Sequence, residues 1–353
     1  MSRSWHDLTL ATIGRGGKGR TGDAQVNKNT IKVGVLKDPH HFQSKTVRKD
    51  YKEIDFLKVQ KVNEVLKQED VSTLLMTGDI FNQFDSNSIP VSRLKKAMNL
   101  LDSYKTQVNR LLSIRGNHDY IGGNNDETHL DTFLSNHIEL IDDYTDLINN
   151  ENHLIRIYSV DYLHTKKEVV ERLMTIEKHI NQTKDRGDSK NYYFVITIHW
   201  NVFTELSPLR AFVNESLSFD EVFNYVNGLN LIVLGHIHQG THELTNVMSP
   251  NVLIRGNIRE KTQIPEVGII TFKLNEESIT HELSYKQLEV DDNPFHQEFE
   301  DVNNAVQGFT LDINQFKQKT DNTLVEHVNK IFEDFTSANR PDLIALFKKY
   351  LAI

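Results

Sequence analysis

Cysteine is absent from all 353 residues. Disulfides and thiolate metal sites are therefore excluded, and the composition fits a reducing compartment. Long apolar runs are missing too. No stretch approaches the roughly 18–20 residues of a membrane span. Near the N-terminus only Leu8-Thr9-Leu10-Ala11-Thr12-Ile13 leans apolar, too short and too polar for a secretory h-region. These absences predict a cytoplasmic protein without membrane contact. A basic excess is also missing. The formal net charge is −9, which is awkward for nucleic-acid binding, because phosphate contacts draw on Lys and Arg. A sum conceals local patches, however, and bound cations reverse the sign near a site. The glycine-basic run Gly14 to Gly22 is no P-loop, since Gly17-Lys18 is followed by Gly19 rather than Ser or Thr. It reads as part of a flexible basic tail over residues 1–29.

What is present is an ordinary globular chain, 25% charged and 38% hydrophobic. Its length suits one large domain plus an appendage. Ile31–Leu36, Val71–Met76, Leu111–Ile114, Leu154–Val160, Tyr192–Ile198 and Leu229–Leu234 read as buried strands. Helical stripes over Ile54–Leu66, Val91–Tyr104 and Lys166–Thr183 alternate with them. Val169, Val170, Leu173, Met174 and Ile176 supply the apolar positions of the third stripe. That alternation predicts a βαβ core with parallel strands. Thr128–Leu134 is a short helix candidate, and His137–Ile141 a weaker strand. Val252–Ile254, Val267–Phe272 and Ser278–Leu288 look like antiparallel strands. Two further helical stripes follow, Thr323–Phe335 and a last helix from Pro341.

The chemistry gathers at strand ends. Asp38-Pro39-His40 follows the first strand, and Gly78-Asp79-Ile80-Phe81-Asn82 the second. Gly116-Asn117-His118-Asp119 follows the third. His199 closes the strand ending at Ile198, and Gly235-His236-Ile237-His238 the one ending at Leu234. Taken singly, an Asp after a strand is a turn or cap residue, and a lone His is structural. Five strand ends carrying such residues fit that bland account poorly. The carboxyl edge of an α/β sheet is where ligands bind. Imidazoles, two carboxylates and an amide suit Mn, Fe, Zn or Co better than a magnesium site rich in oxygen ligands and water. Seven such ligands are too many for one ion, so two ions sharing one carboxylate fit better.

In order, D-x-H, G-D, G-N-H-D, H and G-H-x-H resemble the motifs of the calcineurin-like metallophosphoesterase superfamily, over roughly residues 31–260. The resemblance implies a four-layer α/β/β/α metallophosphoesterase sandwich, with a small C-terminal α+β/helical appendage. It divides the chain into the tail at 1–29, a nuclease domain at 30–275 and a partner-binding region at 276–353. One metal would sit on Asp38, His40, Asp79 and His238, the second on Asp79, Asn117, His199 and His236. His118 would meet the scissile phosphate as general acid or charge stabiliser, with Asp119 orienting it. D-x-H selects His40 and leaves His41 as a loop histidine.

Gly78-Asp79-Ile80-Phe81 departs from the G-D-x-V-D-R-G of protein phosphatases and is similar to SbcD-type DNA-repair exonucleases. Leu253-Ile254-Arg255-Gly256-Asn257-Ile258-Arg259 resembles a glycine-containing segment those nucleases carry after G-H-x-H. Asn82 stands where some members have a histidine. The resemblance implies Mn (Fe, Zn or Mg as substitutes), a DNA substrate and 3′→5′ exonuclease and single-strand endonuclease activity. It also implies homodimerisation and an SbcC-type ATPase partner docked on the C-terminal helices. The lean chain would suit a phage-encoded version. The rival expectation is a phosphodiesterase or phosphatase for small or cyclic nucleotides.

Overall fold

The computed structural model describes residues 29–42, 54–82, 89–121, 128–187, 189–205, 207, 213–255 and 263–288. The stripes at 323–335 and 341–353, residues 1–28 of the expected tail and Gly256 to Arg259 lie outside the described residues. The first half of the chain forms β1 (Thr30–Leu36), α1 (Ile54–Gln68), β2 (Thr73–Met76), α2 (Val91–Lys105), β3 (Arg110–Ser113), β4 (Glu139–Leu140) and β5 (Tyr144–Asn149). Then come β6 (His153–Val160), α3 (Lys166–Lys184), β7 (Asn191–His199), β8 (Val202–Phe203), β9 (Leu217–Ser218) and α4 (Phe219–Tyr225). The last are β10 (Leu231–Gly235), β11 (Val247–Met248), β12 (Glu266–Leu274) and β13 (Ile279–Gln287). A π-helical turn at Leu130–Leu134 occupies the expected short helix.

The fold is mixed α/β with two main sheets. The first has the order β13-β12-β1-β2-β3-β4; β1 to β4 are parallel, and β12 and β13 are antiparallel additions. The second runs β11-β10-β7-β6-β5, parallel except for β5. β8 and β9 form a separate two-stranded pair. The expected antiparallel pairing after residue 260 holds for β12 and β13. Val252–Ile254 is buried but not in a strand, and the strand there is β11, parallel to β10.

Alternation along the strands explains why they are apolar throughout. Leu74 and Met76 of β2 join Val62, Leu66, Leu100 and Leu101 of α1 and α2 in one core cluster. Leu75, between them, faces the other way, with Val33, Val35 and Leu112. There it meets Ile155, Ile157, Val195 and Val233, so the two sheets pack against each other. The opposite face of the second sheet, through Tyr158, Phe194, Ile196 and Ile232, is covered by α3 and α4. The apolar line of α3 is Val169, Leu173, Ile176 and Ile180. Met174, expected on that line, is 57% exposed, because it lies off the i, i+4 face that the sheet covers.

A capping box starts α3: the Thr165 side chain accepts from Glu168 N, and Glu168 returns a bond to Thr165 N. The box satisfies two N–H groups that the helix itself leaves unpaired. Thr165→Ala is expected to lower unfolding free energy by about 1 kcal/mol in urea titrations. A change under a third of that would show the cap idle. Among the described residues, no helix is long and apolar enough to cross a membrane.

Candidate metal centre

The parallel strands of both sheets deliver their carboxyl ends to one place. β1 ends at Asp38 and His40, β2 at Asp79, β3 at Asn117 and His118, β7 at His199, and β10 at His236 and His238. Asp38, His40, Asp79 and His199 are buried; Asn117, His118, His236 and His238 are partly exposed and form the mouth. Four of these residues, Asp38, His40, Asp79 and His236, have positive φ, from 38° to 70°. Non-glycine residues take that left-handed region rarely and at a cost, and such strain collects at functional sites.

Donor atoms face one another in two groups that share Asp79 Oδ2. In one group, His40 Nε2 stands 3.1 Å from His238 Nε2 and 3.6 Å from Asp79 Oδ2. In the other, His199 Nε2 lies 3.3 Å from Asp79 Oδ2, 3.1 Å from Asn117 Oδ1 and 3.3 Å from His236 Nδ1. His236 Nδ1 is in turn 3.0 Å from Asn117 Oδ1. Atoms bound about 2.1 Å from one cation stand about 3.0–3.4 Å apart, a range that holds all of these spacings except the 3.6 Å between His40 Nε2 and Asp79 Oδ2. Two ring nitrogens at 3.1 Å repel through their lone pairs unless a proton or cation lies between them. Asp38 Oδ2 is buried without a hydrogen-bond partner, another mark of a missing positive charge. Among the described residues no group of three or more His, Asp or Glu side chains is placed to hold a metal ion as it stands. What the geometry gives is facing donors of the type that binds divalent cations.

Electrostatics among the protein groups point the same way. Burial holds His40 and His236 neutral, with pKa values lowered to about 3. Burial also opposes charge on His199, but the Asp79 and Asp38 carboxylates outweigh it and push the ring up to about 10. A divalent cation is stabilised by the same carboxylates, and a ligating imidazole must be neutral. Burial alone would raise Asp79, yet the charge and hydrogen bond of His199 bring it well below the usual carboxylate range. Asp38 is raised by burial.

Three features support these donors, and sequence reasoning did not single them out. Thr77 Oγ1 donates to Asp38 Oδ1 (2.9 Å) and accepts from Asp38 N (3.2 Å). The Thr77 carbonyl accepts from His199 Nδ1 (2.7 Å), which holds the ring with Nε2 toward Asp79, free to ligate once the Nε2 proton leaves. Lys37 and Arg115, each just ahead of a motif, tie strand ends together. A lone basic or hydroxyl residue closing a buried strand was the available signal.

Asp119 differs from expectation. Its carboxylate accepts from Asp79 N (2.8 Å), Ile80 N (3.2 Å) and Gly116 N (2.8 Å). No hydrogen bond joins it to His118 among the described residues. Buried N–H donors compete for it, so it staples the β2 and β3 loops together rather than orienting the imidazole. Burial and then the Asp79 charge push it up to about 8, against those donors. The His118 ring packs edge-on to His40, centroids 5.2 Å apart, while its N–H donates to Asp79 Oδ1 (2.8 Å). His41 points elsewhere, its Nε2 3.1 Å from the Tyr104 hydroxyl.

A family model described as calcineurin-like phosphoesterase matches residues 31–240, more than half of the chain. No curated protein matches it. Among solved structures the chain is similar to a dimetal phosphatase from Danio rerio, at 12% identity and TM-score 0.40, over 74% of this chain and 100% of that one. It is similar to TT1561 of Thermus thermophilus, at 10% identity and TM-score 0.42, over 74% and 100%. GAP50, the anchor in the inner membrane complex of Plasmodium, gives 11% identity and TM-score 0.42 over 75% and 90%. These likenesses are loose, and the assignment rests on the family model. The chain belongs to the calcineurin-like phosphoesterase family and is a metal-dependent phosphoester hydrolase.

Proposed function

We propose that the chain is a two-metal phosphodiesterase acting on DNA, the nuclease subunit of an SbcC–SbcD-like complex that works as a homodimer. The observation carrying the two-metal part is Asp79 Oδ2, which faces His40 on one side and His199 on the other. Enzymes of this family typically use two divalent cations. Here Asp38, His40, Asp79 and His238 would hold one, and Asp79, Asn117, His199 and His236 the other, with Mn favoured by the mixed N/O donors. Core packing on both faces of each sheet supports the four-layer sandwich as the architecture; the nuclease domain expected at 30–275 then extends through β13, which pairs with β12 along its length.

When bound, such cations supply a nucleophilic water near neutral pH and offset phosphate charge. The chain's own part is positional. Asp79 keeps Oδ2 toward both positions because Oδ1 is taken by the His118 N–H. His199 is locked by the Thr77 carbonyl. His118, partly exposed at the mouth, protonates the leaving oxygen or stabilises its charge. The Gly78-Asp79-Ile80-Phe81 motif favours a polymeric diester. One observation favours the small-nucleotide alternative: Asp131, Asp142 and Asp161 gather beside the Asn117 loop, and such a collar repels a polyanion.

Mn-loaded protein should cleave plasmid and single-stranded DNA as well as bis-p-nitrophenyl phosphate. Rapid turnover of the small ester or of cyclic nucleotides, with both DNAs intact, would sink the nuclease reading and select the alternative.

A further inference from the structure

Each proposed cation position takes ligands from both sheets. The first combines Asp38, His40 and Asp79 of the first sheet's strand ends with His238 of the second. The second combines Asp79 and Asn117 with His199 and His236. Ångström-scale sliding of one sheet edge past the other would open either polyhedron. Something must fix the two edges together at each position.

Beside the bond between the Thr77 carbonyl and His199, the structure shows two such ties made by a basic residue directly ahead of a ligand motif. Lys37, fully buried, precedes Asp38. Its Nζ donates to the Gln239 carbonyl (2.9 Å) and to Ser249 Oγ (2.9 Å). Gln239 follows His238 and Ser249 follows β11 of the second sheet, so this side chain joins the loop carrying His238 to the segment leaving β11. Arg115 precedes Gly116-Asn117. Its N–H donates to Asp161 Oδ1 (3.0 Å), its guanidinium to Asp161 Oδ2 (3.0 Å), and its carbonyl accepts from Tyr162 N (3.0 Å). Asp161 and Tyr162 follow β6 of the second sheet. Asp131 and Asp142 hold the remaining guanidinium donors, at 2.6 Å and 2.7 Å. One cation against three carboxylates leaves that cluster net negative, so the arginine does not repel a metal beside Asn117.

We propose that Lys37 and Arg115 are positioning residues acting each on one cation: Lys37 sets the position at His40 and His238, Arg115 the position at Asn117 and His236. The proposal rests on the ligand assignment above. Outer-sphere partners of this kind change metal affinity about 10–100-fold. The probe is Mn²⁺ alone, titrated into metal-stripped full-length protein by calorimetry, with positions assigned from Mn anomalous scattering in soaked crystals. Lys37→Met should weaken the His40/His238 position at least about tenfold and spare the other. Arg115→Met should do the reverse. Arg115→Lys should recover part of the loss, since an ammonium reaches Asp161 without the planar fork. Should a Met variant fail to fold, Ser249→Ala and Asp161→Asn must show the same selectivity in weaker form. Equal weakening of both positions by either variant, or none by any, overturns the proposal. Wild-type protein that binds Mn²⁺ at fewer than two positions overturns the ligand assignment itself, and the positioning roles with it.

Discussion

Replacing His118 by Asn is expected to leave metal uptake intact while cutting kcat by about 10²–10⁴-fold, the usual contribution of a proton-transfer group. The reason lies in which part of His118 does what. Its backbone N–H supports the bridging carboxylate at Asp79 Oδ1, and any residue except proline supplies that bond. Among the described residues its ring makes an edge contact with His40, and it is partly exposed. The substitution therefore removes a proton donor and keeps the scaffold. KM should change far less than kcat, because the ring acts on charge that develops in the transition state. Steady-state kinetics on bis-p-nitrophenyl phosphate, with Mn²⁺ stoichiometry measured on the same sample, separates the cases. Turnover within about threefold of wild type would refute the acid–base role, and loss of bound Mn²⁺ would show that the ring is a ligand.

Much of the centre was legible because its residues stand at strand ends, and strand ends can be read from apolar runs. The runs to Leu36, Met76, Ile198 and Leu234 each stop at the residues that the sheets deliver to the mouth. What was not legible acts over long sequence distances. The Thr77–His199 bond spans 122 positions, and the Lys37–Ser249 bond 212; local pattern carries no trace of either. Val252–Ile254 looked like a strand because an apolar run reports burial, and burial does not require pairing. β5, an edge strand of half-exposed residues, lacks the clean alternation that marks a one-sided strand. α4 spans only 7 residues, too few for a stripe. Its capping box, Ser218 with Glu221, was nonetheless present in the sequence as a start signal. The resemblance gives Asp119 to His118, whereas its hydrogen bonds reach across to the neighbouring strand end.

Gly116→Ala should be the most damaging glycine-to-alanine change among the described residues. Before contact distances are considered, Gly116 looks like a turn residue chosen for backbone freedom. Its φ is not positive, however, and its role is close approach. A Cβ there would lie 2.2 Å from Asp79 Oδ1, 2.4 Å from Asp79 N and 2.7 Å from Asp79 Cγ. Asp79 cannot retreat. Its N–H is bonded to Asp119, its Oδ1 to His118 N, and the Gly78 beside it already crowds Gly116 N, where an added Cβ would come within 2.6 Å. The methyl must therefore displace either the bridging carboxylate or the whole β3 loop with Asn117. On the proposed ligand assignment, displacing Asp79 costs both cation positions a ligand, whereas displacing the β3 loop costs only the position at Asn117. Overpacking of this kind costs about 1–3 kcal/mol in stability, and an ångström of misplacement at the reacting centre costs about 10²-fold in rate. Gly187→Ala is the matched control. That glycine sits at φ +70° with nothing within 4 Å of an added Cβ, so only backbone strain of about 1 kcal/mol is expected. Denaturant titration, Mn²⁺ binding and turnover on both variants test the argument together. The expected pattern is a similar loss of stability, with loss of metal and activity confined to Gly116→Ala. Full Mn²⁺ occupancy and turnover in Gly116→Ala would mean that the Asp79 carboxylate is free to move, and the bridging geometry would have to be abandoned.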